Sequence, residues 1–209
     1  MRLFRPGFLA GWLFPEALFR IRTAHKILYL TFDDGPDPAS TPVVLHILKT
    51  HSIKALFFCD GRAAEKYPYL MDQIVTEGHL SGNHGYYHYD GWRTDYIKYV
   101  NDVIKAELFT SPTIFRPPFG HMSLKQYRIL KKKFKIVVWD LMPYDFDLTF
   151  GSERSLSVLK NKIRRGSIIV LHDSPSSVTN LILDEFITFA VASGYRFELV
   201  PLLRDKLRE

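Results

Sequence analysis

The sequence predicts a single α/β domain in which about seven parallel strands close, or nearly close, into a barrel. Short β-rich runs alternate with segments of helical period from residue 27 onward, a pattern that requires parallel pairing through crossover helices. Several runs, among them ILYLTF, ALFFC, IVVW and SIIVL, are continuously apolar, as strands covered on both faces are. An open doubly wound sheet satisfies both observations, but a third favours the barrel. Asp33-Asp34, His84, Arg116, Asp140 and His172-Asp173 each directly follow a run, and in a barrel the strand C-termini all meet at one mouth.

Taken in order, the strands are expected over residues 27–32, 53–59, 79–83, 113–115, 136–139, 167–171 and 197–199. Helices are expected between them. Behind Thr94 as N-cap, Tyr96, Tyr99, Val100, Val103, Ile104 and Leu108 recur at three- and four-residue steps, one apolar face of a helix. From Ser152, the stripe Leu156, Leu159, Ile163 runs to Lys162, Arg164 and Arg165, and Gly166 ends it, in keeping with basic residues and glycine at helix C-termini. Weaker helical patterns cover 41–51, 63–77, 123–133 and 179–192. No repeat, low-complexity tract or Gly/Ser linker divides the chain, so residues 27–209 form one domain and residues 1–26 a lead-in that packs on it.

Composition narrows the function. Among 209 residues, 46% are hydrophobic and 24% charged, which excludes disordered, collagenous and coiled-coil classes. A single cysteine, Cys59, precludes an intrachain disulfide. The excess of 28 basic over 22 acidic side chains is modest, and the cluster Lys131, Lys132, Lys133, Lys135 reads as the solvated end of a helix. With no base-reading motif, nucleic acid is not an expected partner. No run approaches the roughly 20 apolar residues that span a bilayer. The N-terminal MRLFRPGFLAGWLFPEALF is too short and too interrupted, by Pro15 and Glu16, for a clear signal peptide. It reads as an amphipathic segment that packs on the domain or touches a membrane or cell-wall surface, and the cytoplasm is the favoured compartment.

Four segments carry the chemistry. TFDDGPDP, residues 31–38, places two adjacent carboxylates straight after a strand; turn and function weigh equally there, since Asp, Gly and Pro all favour turns. In HGYYH, His84 and His88 lie four apart, within reach of one metal from a compact loop. With a carboxylate from Asp33-Asp34 they complete a two-His-one-carboxylate set suited to Zn²⁺ or another divalent transition ion acting on water. FRPPFG presents Arg116, a forked cation able to clamp a carboxylate, on a backbone stiffened by two prolines. IVLHD ends a very apolar run with His172, whose ordinary pKa suits a general acid.

Together, TFDDGP, HGYYH, RPPFG and LHD are similar, in order, to the motifs of the polysaccharide deacetylases, the NodB-like carbohydrate esterases. The resemblance extends from about residue 27 to residue 200. It implies a distorted (β/α) barrel and metal-dependent hydrolysis of N-acetyl groups from amino sugars of a poly- or oligosaccharide. It also implies one divalent ion, zinc first with cobalt, nickel or manganese as alternatives, held by Asp34, His84 and His88. Asp33 would be the base, Arg116 its clamp, His172 the acid and Asp145 the residue that orients it. Phe119 would stabilise the oxyanion through its backbone N–H, and Leu171 would line the acetyl pocket. Tyr86 and Trp92, with Tyr87 and Tyr89, either stack on sugar rings or pack over the mouth. Two departures stand out. Gly85 occupies the usual Ser/Thr position of the second motif, and residues 142–146 keep only Asp145 of the usual Asp-x-x-Asp-Trp, with Asp140 as a candidate substitute. Alternatives are deacylation of O-acetylated sugars or of a glycolipid at the same metal site, or a non-catalytic glycan-binding barrel.

Overall fold

The computed structural model describes residues 2–201. Seven strands, β1 (Ile27–Asp33), β2 (Leu56–Cys59), β3 (Leu80–Asn83), β4 (Ile114–Phe115), β5 (Lys135–Ile136), β6 (Ile168–His172) and β7 (Arg196–Phe197), form one sheet. Its order is β5-β4-β3-β2-β1-β6, with β7 paired to the start of β1. Every pairing is parallel, as the intervening helices require. These helices are α1 (Phe8–Leu13), α2 (Thr41–Thr50), α3 (Gly61–Lys66), α4 (Pro68–Thr76), α5 (Tyr96–Ala106), α6 (Leu124–Leu130), α7 (Ser152–Lys162) and α8 (Thr179–Ala192). None of the described helices is long and apolar enough to cross a membrane.

β1 is buried along its whole length, and the two-residue period of a strand sorts its side chains into two layers. Leu28, Leu30 and Phe32 join Val44 and Leu48 of α2 and Ile182 and Phe186 of α8 in the outer core. Ile27 and Tyr29 point the other way, into an inner core with Leu56, Phe58 and Ile168. Thr31 and Asp33 continue that inward row toward the strand's C-terminal end, where the polar residues gather.

The sheet curls but does not close through its own strands. Between β5 and β6, residues 18–21 fill one end of the gap, and Leu141 bridges Ile169 of β6 at the other. Leu18 bridges Val137 in parallel, Arg20 bridges Ser167 antiparallel, and Ile21 donates to the Gly166 carbonyl. The run expected over 136–139 is regular only at its start, because β4 ends at Phe115, whose carbonyl accepts from the Val137 N–H. On the opposite edge Leu18 donates to the Ile136 carbonyl and accepts from the Val138 N–H. The basic cluster after α6 is anchored to the same N-terminal stretch, with Lys131 Nζ 2.5 Å from Glu16 Oε1.

Two local expectations are corrected. The helix expected over 63–77 is two helices, because Tyr67, preceding Pro68, adopts φ −126°, ψ 58°; a residue before proline is pushed out of the helical region. The N-cap of α5 is Asp95 rather than Thr94. Its carboxylate accepts from the Ile97 and Lys98 N–H groups at 2.9 and 3.3 Å, satisfying two donors that the helix leaves free.

Candidate active site

At the C-terminal ends of β1, β3, β4 and β6 the four motif segments converge on one cavity of about 320 Å³. Asp33, Asp34, His84, His88, Phe119 and His172 all line it. Local backbone strain accompanies the convergence. Asp34, His88 and Phe119 adopt positive φ values of 78°, 56° and 58°. Left-handed backbone is costly for residues with a Cβ and tends to cluster at functional sites.

Asp34, His84 and His88 each offer a ligand atom, and these atoms lie within 4.8 Å of one another. His88 Nε2 is 3.2 Å and His84 Nε2 3.7 Å from the same Asp34 oxygen, Oδ1. His84 Nδ1 lies 2.8 Å from the Arg116 carbonyl. A carbonyl only accepts, so Nδ1 carries the proton and Nε2 presents its lone pair to the cluster. Burial lowers the His84 pKa to about 4, keeping the ring neutral at pH 7 as a metal ligand must be. For Asp34, burial favours the neutral acid, but the His88 hydrogen bond and the neighbouring imidazoles hold it well below the ordinary carboxylate range. Two neutral-capable imidazoles and one ionised carboxylate with open positions fit a divalent transition ion.

Gly85 does not leave this set unsupported. Its φ is 80°, and a Cβ there would come within 2.9 Å of Asp102 Oδ2, so the site requires glycine. The loop is instead held by Asp102 of α5, which accepts from the Tyr86 and Tyr87 N–H groups at 2.8 and 3.0 Å. Asn83 also accepts from the Gly85 N–H at 2.8 Å. Neither support was foreseen from the sequence.

Asp33 faces a buried cation. Arg116 is fully buried, and its Nη1 donates to Asp33 Oδ1 at 2.6 Å and to Thr31 Oγ1 at 2.7 Å. Nη2 and Nε donate to the carbonyls of Val138 and Val137, and the guanidinium lies 4.1 Å from the centre of the Phe58 ring. One carboxylate oxygen is thereby fixed in the barrel, while Oδ2 lies 3.7 Å from His84 Nε2.

On the neighbouring strand His172 sits in register with Asp33. The fully buried Asp145 accepts from both its backbone N–H (2.7 Å) and its ring Nδ1 (3.0 Å), and also from Thr179 Oγ1 (2.7 Å). Burial opposes a charged imidazole, but the Asp145 charge and hydrogen bond outweigh it and push the His172 pKa up to about 9. His172 is therefore an imidazolium below that pH, and the protonated form is lost as pH rises through it. Asp145→Asn removes the charge while keeping an acceptor. It should lower the pH at which His172 loses its proton by about 1–3 units, the usual effect of a close opposite charge. An unmoved His172 titration, followed by NMR, would dissociate Asp145 from that shift.

Several expected positions are corrected. Leu171 points into the outer core with Ile169; it is Val170, one step along the alternating strand, that lines the cavity beside Trp139, Met142 and Phe146. Tyr86 is not free to stack on a sugar. It is buried, its hydroxyl donates to Glu65, and Lys105 Nζ sits 3.4 Å from its ring centre. Trp92 lies outside the cavity, stacked at 3.5 Å on His121, which itself bonds Asp90. Asp140 does not replace the missing motif carboxylate, because Arg5, Arg164 and Ser167 all bond to it away from the cavity. Asp173, marked in the sequence at a strand end but given no role there, donates its N–H to the Asp33 carbonyl at 2.7 Å, and burial pushes its carboxyl pKa up to about 6.

The polysaccharide deacetylase family model matches residues 20–135. A peptidoglycan-N-acetylglucosamine deacetylase of Bacillus cereus is 34% identical over 192 residues, covering 86% of this chain and 69% of the relative. A chitooligosaccharide deacetylase of Azorhizobium caulinodans is 34% identical over 164 residues, 74% of this chain and 77% of its own length. Among solved structures, the Bc1960 peptidoglycan N-acetylglucosamine deacetylase superposes with a TM-score of 0.85 at 30% identity, covering 94% of this chain and 95% of that one. The family model spans more than half of the chain and the relatives share about a third of its residues, so the chain belongs to the polysaccharide deacetylase family, a family of carbohydrate deacetylases that generally use a divalent metal.

Proposed function

We propose that this chain hydrolyses the acetamido group of an N-acetylated amino sugar in a glycan, with Asp33 as base and His172 as acid. The observation that carries the assignment is their placement. The two groups stand in register on adjacent strands, each clamped by a buried partner, and line one cavity with the Asp34–His84–His88 set.

Asp34, His84 and His88 would hold one divalent ion, zinc first among the candidates. When bound, such an ion supplies Lewis-acid polarisation of the amide carbonyl and acidifies water at its open positions. Asp33, held by Arg116, takes a proton from the attacking water as its oxygen adds to the carbonyl carbon. The backbone N–H of Phe119, on the strained 118–120 turn, is the proposed donor to the developing oxyanion; one such donor is typically worth about 3 kcal/mol. His172 then gives its proton to the amine nitrogen as the carbon–nitrogen bond breaks, leaving acetate and a free amino sugar. Val170, Trp139 and Met142 form an apolar wall suited to the acetyl methyl group.

Acetate release from tetra-N-acetylchitotetraose, compared with release from an O-acetylated xylo-oligosaccharide, tests this reading. Release from the amide-linked substrate is expected to dominate. Release from the ester alone would reassign the site to O-deacetylation.

A further inference from the structure

Beside the catalytic cavity runs a second groove of about 400 Å³. The N-terminal segment walls one side with Ala10, Leu13 and Phe14, and the barrel walls the other with Trp92, Met122 and Val138. Phe119, His121 and Trp139 line both spaces, so whatever occupies the groove adjoins what is bound in the cavity. The lining is overwhelmingly apolar. Its two ionisable side chains are already engaged, Arg5 with Asp140 and His121 with Asp90. A sugar ring would bring hydroxyl groups that lose water here with few partners to replace it, an unfavourable exchange. An alkyl chain meets no such penalty. Leu3 of the groove lining is 62% exposed, and on α1, which also supplies Ala10 and Leu13 to that lining, Leu9 and Trp12 are 63% and 77% exposed, apolar side chains of the kind that lie in a lipid interface.

We propose that this groove takes the apolar chain of a lipid-linked amino sugar, whose acetamido group enters the adjoining cavity. The proposal names the substrate class for the deacetylase reading above and rests on it. Binding therefore has to be read separately from turnover. Calorimetry on the zinc-loaded protein with the methyl and hexyl β-glycosides of N-acetylglucosamine provides that separation. Each methylene withdrawn from water is worth up to about a fourfold factor, so the hexyl glycoside is expected to bind at least tenfold tighter. Ala10→Trp, which fills the groove, and Leu13→Asp, which places a charge at a 40% exposed position, should each bring the hexyl-to-methyl ratio below about threefold. Equal affinity for the two glycosides, or a ratio preserved in both variants, would overturn the proposal. Acetate release is followed in parallel. If neither glycoside nor the N-acetylated chito-oligosaccharide is hydrolysed, the deacetylase reading fails, while the affinity ratio still decides what the groove binds.

Discussion

Asp33→Asn is expected to lower kcat by about 10²–10⁴-fold, the usual contribution of a positioned general base, while one metal ion per chain remains bound. The substitution keeps an oxygen for Arg116 Nη1 and leaves Asp34, His84 and His88 in place. It removes the negative charge facing a guanidinium that is fully buried. Removing one partner of a buried ion pair typically costs about 3–5 kcal/mol, so the variant should also melt at a lower temperature. The two effects are separable. Turnover measured well below the new Tm reports the base, and the melting curve reports the lost charge. Near-normal kcat in a folded, metal-loaded variant would remove Asp33 as the base.

The His84→Ala, His88→Ala double variant is expected to lose its metal and with it nearly all turnover. Lewis-acid and water-activating effects amount to several kcal/mol, which at about 1.36 kcal/mol per decade corresponds to a loss on the order of 10³-fold or more. Elemental analysis after loading with Zn²⁺ or Co²⁺ should find about one ion per wild-type chain and essentially none in the double variant, as three protein ligands reduced to one predicts. The imidazoles play unequal parts. His84 is buried, with its tautomer fixed by the Arg116 carbonyl, whereas His88 is partly exposed on a left-handed backbone turn. A single ion retained by the double variant would place the metal elsewhere.

The fold was legible because its strands are buried on both faces and its polar residues sit at their C-terminal ends, so apolar runs and their punctuation coincided. What the sequence hid were effects of side-chain direction and of distant partners. Leu171 and Val170 are adjacent and both apolar; only the strand's alternation shows which faces the cavity. Gly85 looked like a missing hydroxyl, yet the stabilising carboxylate arrives from Asp102, a helix away in sequence. Asp140 stands where a motif carboxylate would, but arginines brought in from residue 5 and residue 164 engage it. Tyr86 and Trp92 share one aromatic loop in the sequence, but one packs under Lys105 and the other on His121. Local pattern carries no information about such pairings.

The stitch formed by residues 18–21 places a constraint on the order of assembly. This stretch leaves the ribosome before either strand that it joins, and its partners at Val137 and Ser167 are made far later. A segment made before both of its partners is thus among the last to find its place. Until then the Ile136 and Gly166 carbonyls and the Val138 N–H lack their partners, the kind of edge along which nascent chains associate wrongly. A fusion partner or tag attached just upstream of residue 18 would slow the docking step without touching a single residue of the catalytic cavity.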